Sequence, residues 1–220
     1  MPILDIHTHH PAPQPLAIIA CSPLEFNPLP GQLYSVGIHP WKTTEDIPEE
    51  LWEKLETAAA NPQVVAIGEC GIDLLKGGPL FRQMLVMKRQ ALLSEKLKKP
   101  LIIHSVRAQE IVIGMRKDLK PEMDWLIHGF RGKPTIAEMY LKAGFQLSLG
   151  QHFNNESLSI IPAERLFAET DEADYSIQEV IASLSDSAGQ DLTATIARNS
   201  AAFIGIKDDL NVIPTESLPD

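Results

Sequence analysis

The sequence contains little cysteine, with only Cys21 and Cys70 among its 220 residues. This argues against a disulfide framework and fits a reducing compartment, so we interpret both thiols as small apolar core residues. No apolar stretch approaches the ~20 residues of a membrane span, and the first residues lack the basic and apolar segments of a signal peptide. We expect a cytoplasmic protein without membrane contact, and no segment indicates an obligate protein partner.

Basic residues are also in the minority, because 19 Lys and Arg against 29 Asp and Glu give a formal net charge of −10. A protein that binds long nucleic acid by neutralising its phosphates usually has a basic face. The mild basic cluster between Lys88 and Lys99 is typical of a solvent-exposed helix. The charge therefore argues against broad binding of duplex DNA, but it is compatible with a DNA end or a small phosphodiester that enters a metal pocket.

What the sequence does contain is an alternation of apolar runs and amphipathic segments. Strand-like runs lie near 3–9, 16–20, 33–38, 64–69, 101–105, 124–128, 145–149 and 165–170. Amphipathic segments lie at 48–60, 80–98, 108–119, 135–143, 176–187 and 190–204. Strands that alternate with helices predict parallel strands joined by crossovers. We predict an α/β fold, a (β/α)8 TIM barrel, with an open doubly wound sheet as the alternative.

The chain is short for such a barrel, which typically needs ~250 residues. The stretch between Thr8 and Leu16 contains three prolines and is too short for an ordinary helix, so we predict a degenerate first crossover. No break in composition divides the chain. We therefore predict a single barrel domain over 1–206 and a C-terminal tail over 207–220.

Residues of the types that bind metals stand at the ends of five apolar runs. They are His7, His9, Glu69, His104, His128 and Asp171. Taken singly, each histidine is more often a hydrogen-bonded core residue, Glu69 could pair with a buried arginine, and Asp171 could cap a helix. Taken together, they predict strands along the whole chain that deliver ligands to one place, which a closed barrel achieves most simply.

The six candidate ligands divide into two half-sites on either side of a central carboxylate. We predict His7, His9 and Asp171 around one ion, His104 and His128 around the other, and Glu69 between them. Glu69 and Asp171 are also the candidate catalytic residues, because a carboxylate can bridge two ions or take a proton from the attacking water. Imidazole and carboxylate ligands predict two divalent ions, with Zn²⁺, Mn²⁺, Co²⁺ or Ni²⁺ accepted and Mg²⁺ less readily.

Three further carboxylates lie close to these ligands in the sequence and are predicted to support them from behind. Asp5 and Glu169 each stand two residues before a ligand, so their side chains share its face of the strand. Asp73 follows Glu69 by four residues and either orients a ligand or caps the following loop. A carboxylate in such a place commonly fixes the orientation of a histidine ligand.

These motifs, in this order, resemble the TatD-type metal-dependent hydrolases, which are deoxyribonucleases of the amidohydrolase-like superfamily. The matching pieces are DIHTH at 5–9, GIHP at 37–40, GECGID at 68–73, IHS at 103–105, HGFRG at 128–132 and ETD at 169–171. The resemblance implies phosphodiester hydrolysis, usually as a 3′–5′ exonuclease, by two divalent ions on the six ligands named above. The short loops after His9 and Asp171 indicate a compact branch of the family.

The resemblance also directs attention to residues that could contact a phosphate. The family commonly has Arg-Asp-Ala after the His-Ser motif, whereas this chain has Val106-Arg107-Ala108. His39, Arg107 and Arg131 are the candidates for substrate binding, and a structural role is an equal alternative for His39 and Arg131. DNA ends or small phosphodiesters are the expected substrates.

A second enzyme class could use the same metal centre, namely an amidase or lactonase that acts on a small acyl substrate. Relatives of that kind often bridge their ions with a carboxylated lysine. Here a glutamate occupies the bridging position and no lysine ends a predicted strand. The sequence therefore favours the phosphodiesterase.

Overall fold

The computed structural model of the protein describes residues 3–10 and 17–206. Eight parallel strands form one closed barrel in chain order. They are β1 Asp5–Thr8, β2 Ala17–Cys21, β3 Leu33–Val36, β4 Val64–Asp73, β5 Leu101–Val106, β6 Trp125–Ile127, β7 Gln146–Leu149 and β8 Leu166–Ala168. The predicted (β/α)8 barrel is confirmed, and the open doubly wound sheet is excluded because β1 pairs with both β2 and β8.

Seven α-helices lie in the described part of the chain. They are α1 Glu49–Ala59, α2 Leu80–Leu97, α3 Gln109–Leu119, α4 Pro134–Lys142, α5 Asn155–Leu158, α6 Ile177–Ala188 and α7 Thr193–Phe203. All but α5 were predicted. That helix is a single turn, capped by the Asn154 side chain, which accepts a hydrogen bond from the Ser157 N–H. One turn is too short to show an apolar periodicity.

Local signals set the helix ends. The Ser176 hydroxyl and the Glu179 carboxylate form a capping box at the start of α6, and Gly189 ends that helix with a φ of 66°. Pro134 is the first residue of α4, where its missing N–H leaves no bond unmade. These caps position the helices that surround the barrel.

The connections after β1 and β2 are relevant to the short length of the chain, because each was expected or found to replace a helix by a loop. Residues 22–32, between β2 and β3, contain no helix. Of the predicted loop after β1, residues 9–10 are not helical, and 11–16 lie outside the described residues. The predicted tail over 207–220 also lies outside them, so the division into one domain and a tail stays a prediction.

The apolar core has two parts. A small cluster inside the barrel, at the starts of the strands, contains Ile102, Leu126 and Phe167, and Phe203 of α7 packs against it. A larger cluster fills the space between the barrel and the helices. The inner cluster forms a floor beneath the ends of the strands, where the candidate site lies.

β4 runs to Asp73, four residues beyond its predicted end at Glu69. Pairing with β5 continues to Asp73, opposite Val106. Gly71 permits this close approach, because its φ is 146° and an added Cβ would lie 2.0 Å from the His104 carbonyl oxygen. The extension carries Asp73 to the same rim as the candidate ligands.

Candidate metal centre

The predicted ligands all lie at the C-terminal ends of the strands, which meet at one rim of the closed barrel. His7 lies in β1, Glu69 in β4 and His104 in β5, while His128 directly follows β6. Asp171 lies beyond β8 and is joined to β1 by the backbone, since its N–H donates to the His7 carbonyl at 3.0 Å. The His9 N–H donates in turn to the Asp171 carbonyl at 2.9 Å. These bonds fix the first and last predicted ligands against each other.

One oxygen of Glu69 faces three imidazoles. Oε1 lies 2.7 Å from His104 Nδ1, 2.7 Å from His128 Nε2 and 3.1 Å from His39 Nε2. The sequence had assigned His39 to the substrate. Its ring nitrogen lies among the atoms of the candidate metal centre, and its contact with substrate stays a prediction.

The other oxygen of Glu69 faces the second group of residues. Oε2 lies 3.4 Å from His9 Nε2 and 3.5 Å from His7 Nε2. Asp171 Oδ1 lies 3.7 Å from each of these two nitrogens. The carboxylate of Glu69 therefore stands between two sets of nitrogen and oxygen donors.

The donors fit divalent ions by distance and by chemistry. Three overlapping sets have ligand atoms within 4.8 Å of one another: His7, His9 and Glu69; His7, His128 and Asp171; and His39, Glu69 and His104. Both ring nitrogens of His7 are buried and form no hydrogen bond with a described residue. An imidazole buried in this way is costly unless something binds it. A cation bound to Nε2 of His7, the ring nitrogen that faces Glu69, would offset the cost of burying that nitrogen unpaired.

The charges of the cluster are strongly coupled. Burial alone would raise the pKa of Glu69, but His128 and the hydrogen bonds from His104 and His128 hold it well below its ordinary value. Burial would lower the pKa of His128, yet the charges of Glu69 and Glu169 raise it well above 6.5. Burial lowers the pKa of His7. The ion-free cluster thus combines a carboxylate with a protonated imidazole, whereas ion binding requires that imidazole to be neutral.

Asp73 contacts the ring nitrogen of His104 that points away from Glu69. Its Oδ2 lies 3.1 Å from His104 Nε2 and accepts a hydrogen bond of 2.6 Å from Trp41 Nε1. Burial opposes ionisation of Asp73, but the bonds from Trp41 and from two backbone N–H groups lower its pKa to about 2. With an ion bound, an ionised Asp73 would hold the proton of His104 on Nε2 and leave the Nδ1 lone pair free for the ion.

Glu169 and Asp5 are also buried beneath the cluster. Glu169 Oε1 lies 3.4 Å from His128 Nδ1 and accepts the Gly129 N–H at 2.5 Å. Asp5 accepts bonds from both the hydroxyl and the backbone N–H of Thr170. Asp5 therefore joins β1 to the end of β8, and among the described residues it forms no hydrogen bond with an imidazole ring.

A cavity of about 830 Å³ opens beside the cluster. Its wall includes Cys21, Trp41 and Leu51, together with the metal-centre residues His9 and Glu69. Both cysteines are free thiols, and Cys70 is buried in the core as expected. Cys21 is only half-buried, so it is part of the cavity wall.

Arg107 and Arg131 do not line this cavity. Both are exposed on the rim, Arg107 directly after β5 and Arg131 four residues after β6. Neither side chain forms an ion pair with a described residue. Their contact with a phosphate stays a prediction.

Sequence reasoning missed Trp41, which directly follows the GIHP motif. The indole is part of the cavity wall, and its ring centroid lies 4.7 Å from that of His39. A tryptophan so close to a histidine-rich motif was the available signal. The alternative role of Asp171 as a helix cap is wrong, because Ser176 caps α6.

The chain has relatives among known proteins. The profile of the family described as TatD related DNase matches residues 27–200. The chain is 28% identical over 152 residues to YjjV of Escherichia coli K12, described as an uncharacterized metal-dependent hydrolase. It is 30% identical over 148 residues to the 3′-5′ ssDNA/RNA exonuclease TatD of Erwinia tasmaniensis. These alignments cover 64% and 62% of this chain, but only 58% and 56% of the relatives.

The fold comparison extends further along the chain. The crystal structure of Escherichia coli YjjV superposes with a TM-score of 0.76 at 20% identity, covering 91% of this chain and 97% of that one. At this identity the likeness concerns the fold alone. In the part of the chain that the structure describes, no helix is both long and apolar enough to span a membrane.

Proposed function

Since the chain belongs to the TatD related DNase family of metal-dependent hydrolases, we propose that it cleaves phosphodiester bonds at nucleic-acid ends in the 3′–5′ direction. Relatives named as 3′-5′ ssDNA/RNA exonucleases support this proposal. We propose a cytoplasmic setting, in keeping with the free thiols.

One observation carries the proposal: both oxygens of the buried Glu69 carboxylate face imidazoles, on opposite sides. Oε1 faces His104 and His128, and Oε2 faces His7 and His9. In this arrangement Glu69 would hold one divalent ion together with His104 and His128 and a second together with His7 and His9, with Zn²⁺, Mn²⁺, Co²⁺, Ni²⁺ and Mg²⁺ as the candidates. When bound, a pair of ions lowers the pKa of water and neutralises charge on the phosphoryl oxygens.

The protein's own residues supply the remaining steps. Asp171 is about one-third exposed at the mouth of the cluster, so its carboxylate is accessible to water and accepts the proton of the attacking molecule. Glu169 and Asp73 hold His128 and His104 in fixed orientations. The apolar floor beneath them excludes bulk water from below. Arg107 and Arg131 on the rim contact the phosphates of the substrate.

The alternative, an amidase or lactonase, shares this fold class but has no specific support here. A crystal structure of a dihydroorotase superposes with a TM-score of 0.64 at 11% identity, so the barrel alone does not select the bond that is cleaved. The carboxylate that lies between the two groups of imidazoles belongs to a glutamate, Glu69, and not to a modified lysine.

A panel of substrates tests the proposal. The protein loaded with Mn²⁺ or Zn²⁺ is assayed on single-stranded DNA with a free 3′ end, on bis(p-nitrophenyl) phosphate and on a lactone. We expect hydrolysis of the two phosphodiesters and none of the lactone. Hydrolysis of the lactone alone would overturn the proposal in favour of the alternative.

A further inference from the structure

The rim around the candidate metal centre is electrostatically divided. Because the barrel is closed and its strands are parallel, the loops that follow the strands stand around the rim in the order of the strands. The loops after β4, β5 and β6 form one half of this rim. The loops after β2, β3 and β8 contribute the wall of the cavity.

The half formed by β4 to β6 is basic. Its exposed cations are Lys76, Arg107, Arg131 and Lys133. Lys76 lies 4.5 Å from the centroid of the Trp41 ring, at the edge of the cavity. None of the four forms an ion pair with a described residue, and Glu110 at the start of α3 is the nearest acidic residue in sequence to Arg107. This half of the rim is therefore open to anions.

The cavity wall is acidic and apolar instead. Its exposed carboxylates are Glu25, Glu45, Asp46 and Glu172, and Lys42 is the one cation among the lining residues. Asp46 is neutralised by Arg82, whose Nε lies 2.8 Å away. Glu25 and Glu45 have no cationic partner among the described residues. Leu24, Ile47 and Leu51 supply apolar surface in the same wall.

We infer that the site binds its substrate in one orientation, with an uncharged terminal nucleoside in the cavity and the remaining phosphates along the basic half of the rim. This inference rests on the proposed function and deepens it. A volume of about 830 Å³ accommodates a group of that size. A second phosphate in the cavity would face Glu25 and Glu45, whereas phosphates on the other side of the cleaved bond meet Arg107, Arg131 and Lys133.

The substrate class follows from this division. The preferred substrate is a short strand, or the end of one, whose terminal residue carries a free hydroxyl. Strands that end in a phosphate bind more weakly, because the added charge would face the carboxylates of Glu25 and Glu45. Beyond the few nucleotides that the basic half can contact, added length brings no further affinity.

Fluorescence anisotropy tests the orientation without turnover. The probe is a labelled tetrathymidylate bound to the Mn²⁺-loaded Asp171→Asn protein, with either a hydroxyl or a phosphate on its unlabelled end. The label is placed on the 5′ end in one set and on the 3′ end in the other. Because the proposed direction of cleavage is 3′–5′, we expect the phosphate to weaken binding by about tenfold or more in the 5′-labelled set, whose 3′ end is unlabelled. Equal binding of hydroxyl and phosphate ends in both sets would overturn the inference.

Charge variants test which carboxylates cause the discrimination between hydroxyl and phosphate ends. Replacing Glu25→Gln and Glu45→Gln together should reduce the discrimination to about threefold or less, since the repulsion comes from these carboxylates. Glu164→Gln, at the opposite end of the barrel before β8, is the matched control and should leave the discrimination intact. Unchanged discrimination in the double variant would contradict the assignment.

The basic half is tested by salt dependence. Replacing Arg131→Ala and Lys133→Ala together should lower the slope of log affinity against log salt by about 0.7 for each phosphate that is no longer neutralised. Lys142→Ala, at the far end of α4, is the control. An unchanged slope would show that the phosphates do not follow this half of the rim. A protein that hydrolyses no phosphodiester would refute the proposed function, while anisotropy would still report whether an oligonucleotide binds in this orientation.

Discussion

The two ends of the barrel interior are built from the same strands but have opposite chemistry. At the starts of the strands, Ile102, Leu126 and Phe167 form an apolar floor. Two residues further along the same strands stand His104, His128 and Glu169. Side chains two apart point to the same face, so each strand contributes one apolar and one polar residue to stacked layers.

This division separates stability from chemistry. The floor buries apolar surface and stabilises the barrel. The upper layer buries carboxylates and imidazoles, which costs free energy unless they are paired or bind an ion. If the two layers differ in this way, substitutions in the upper layer should lower turnover or metal affinity, and substitutions in the floor should lower the free energy of unfolding. The smallest expected effect is a change in how the melting temperature depends on pH.

The largest effect is expected from the upper layer. Asp171→Asn should lower kcat by about 10²–10⁴-fold, because the amide cannot accept a proton from water. The melting temperature should change little, since Asp171 is partly exposed. Steady-state kinetics on bis(p-nitrophenyl) phosphate and thermal unfolding measure the two quantities. Asp174→Asn, an exposed neighbour, is the control, and undiminished activity of Asp171→Asn would refute the role.

Substitutions in the apolar floor should lower stability and leave kcat unchanged. Phe203→Ala removes a buried ring that packs on Phe167 with a centroid distance of 5.5 Å, and should lower the free energy of unfolding by about 3–5 kcal/mol. Below the melting temperature the variant should keep its kcat. Urea denaturation with a parallel assay provides the measurement. A large loss of kcat in the folded variant would break the separation between the two layers.

A smaller effect is expected from the residue that supports His104. Asp73→Asn should weaken metal binding by about 10–100-fold, because the amide no longer fixes the proton of His104 on Nε2. Titration calorimetry with Zn²⁺ measures the affinity directly. Asp118→Asn, exposed on α3, is the matched control. Wild-type affinity in Asp73→Asn would contradict the supporting role.

The smallest effect is expected in the way the melting temperature changes with pH, which should differ between ion-free and ion-loaded protein. The pKa of His128 is raised above 6.5 in the ion-free fold, so its protonated form stabilises that fold at low pH. This contribution is lost as pH rises from about 6.5 through the raised pKa. Ion binding displaces the same proton, so the gain in melting temperature on adding Zn²⁺ should grow over this range.

His128→Asn should remove most of this pH dependence, whereas replacing the exposed His10 by Asn should leave it unchanged. Melting temperatures measured at several pH values, with and without Zn²⁺, make the comparison. A gain that is constant with pH in the wild-type protein would contradict the assignment of the displaced proton to His128.

Much of the fold could be predicted from the sequence, because barrel strands that are buried on both faces appear as short apolar runs. The family was predicted from six motifs, and the profile match confirms it. The proximity of His7 to Asp171 followed from the closure of the barrel, although no local signal joins residues so distant in the chain.

The remaining features depend on contacts that no local pattern records. The sequence left substrate binding and a structural role open for His39, and no local pattern showed that its ring lies 3.1 Å from Glu69. Trp41 contacts Asp73 only because β4 extends past Glu69, which depends on the approach of Gly71 to β5. The location of Arg107 and Arg131 outside the cavity could not be predicted, because their distance from the site depends on loop conformation.

The most direct test of the central claim is anomalous diffraction from crystals of the protein grown with Mn²⁺. The account predicts two peaks, one on each side of the Glu69 carboxylate, with His104 and His128 beside one and His7 and His9 beside the other. The absence of any peak next to Glu69, in crystals that bind Mn²⁺ elsewhere, would contradict it.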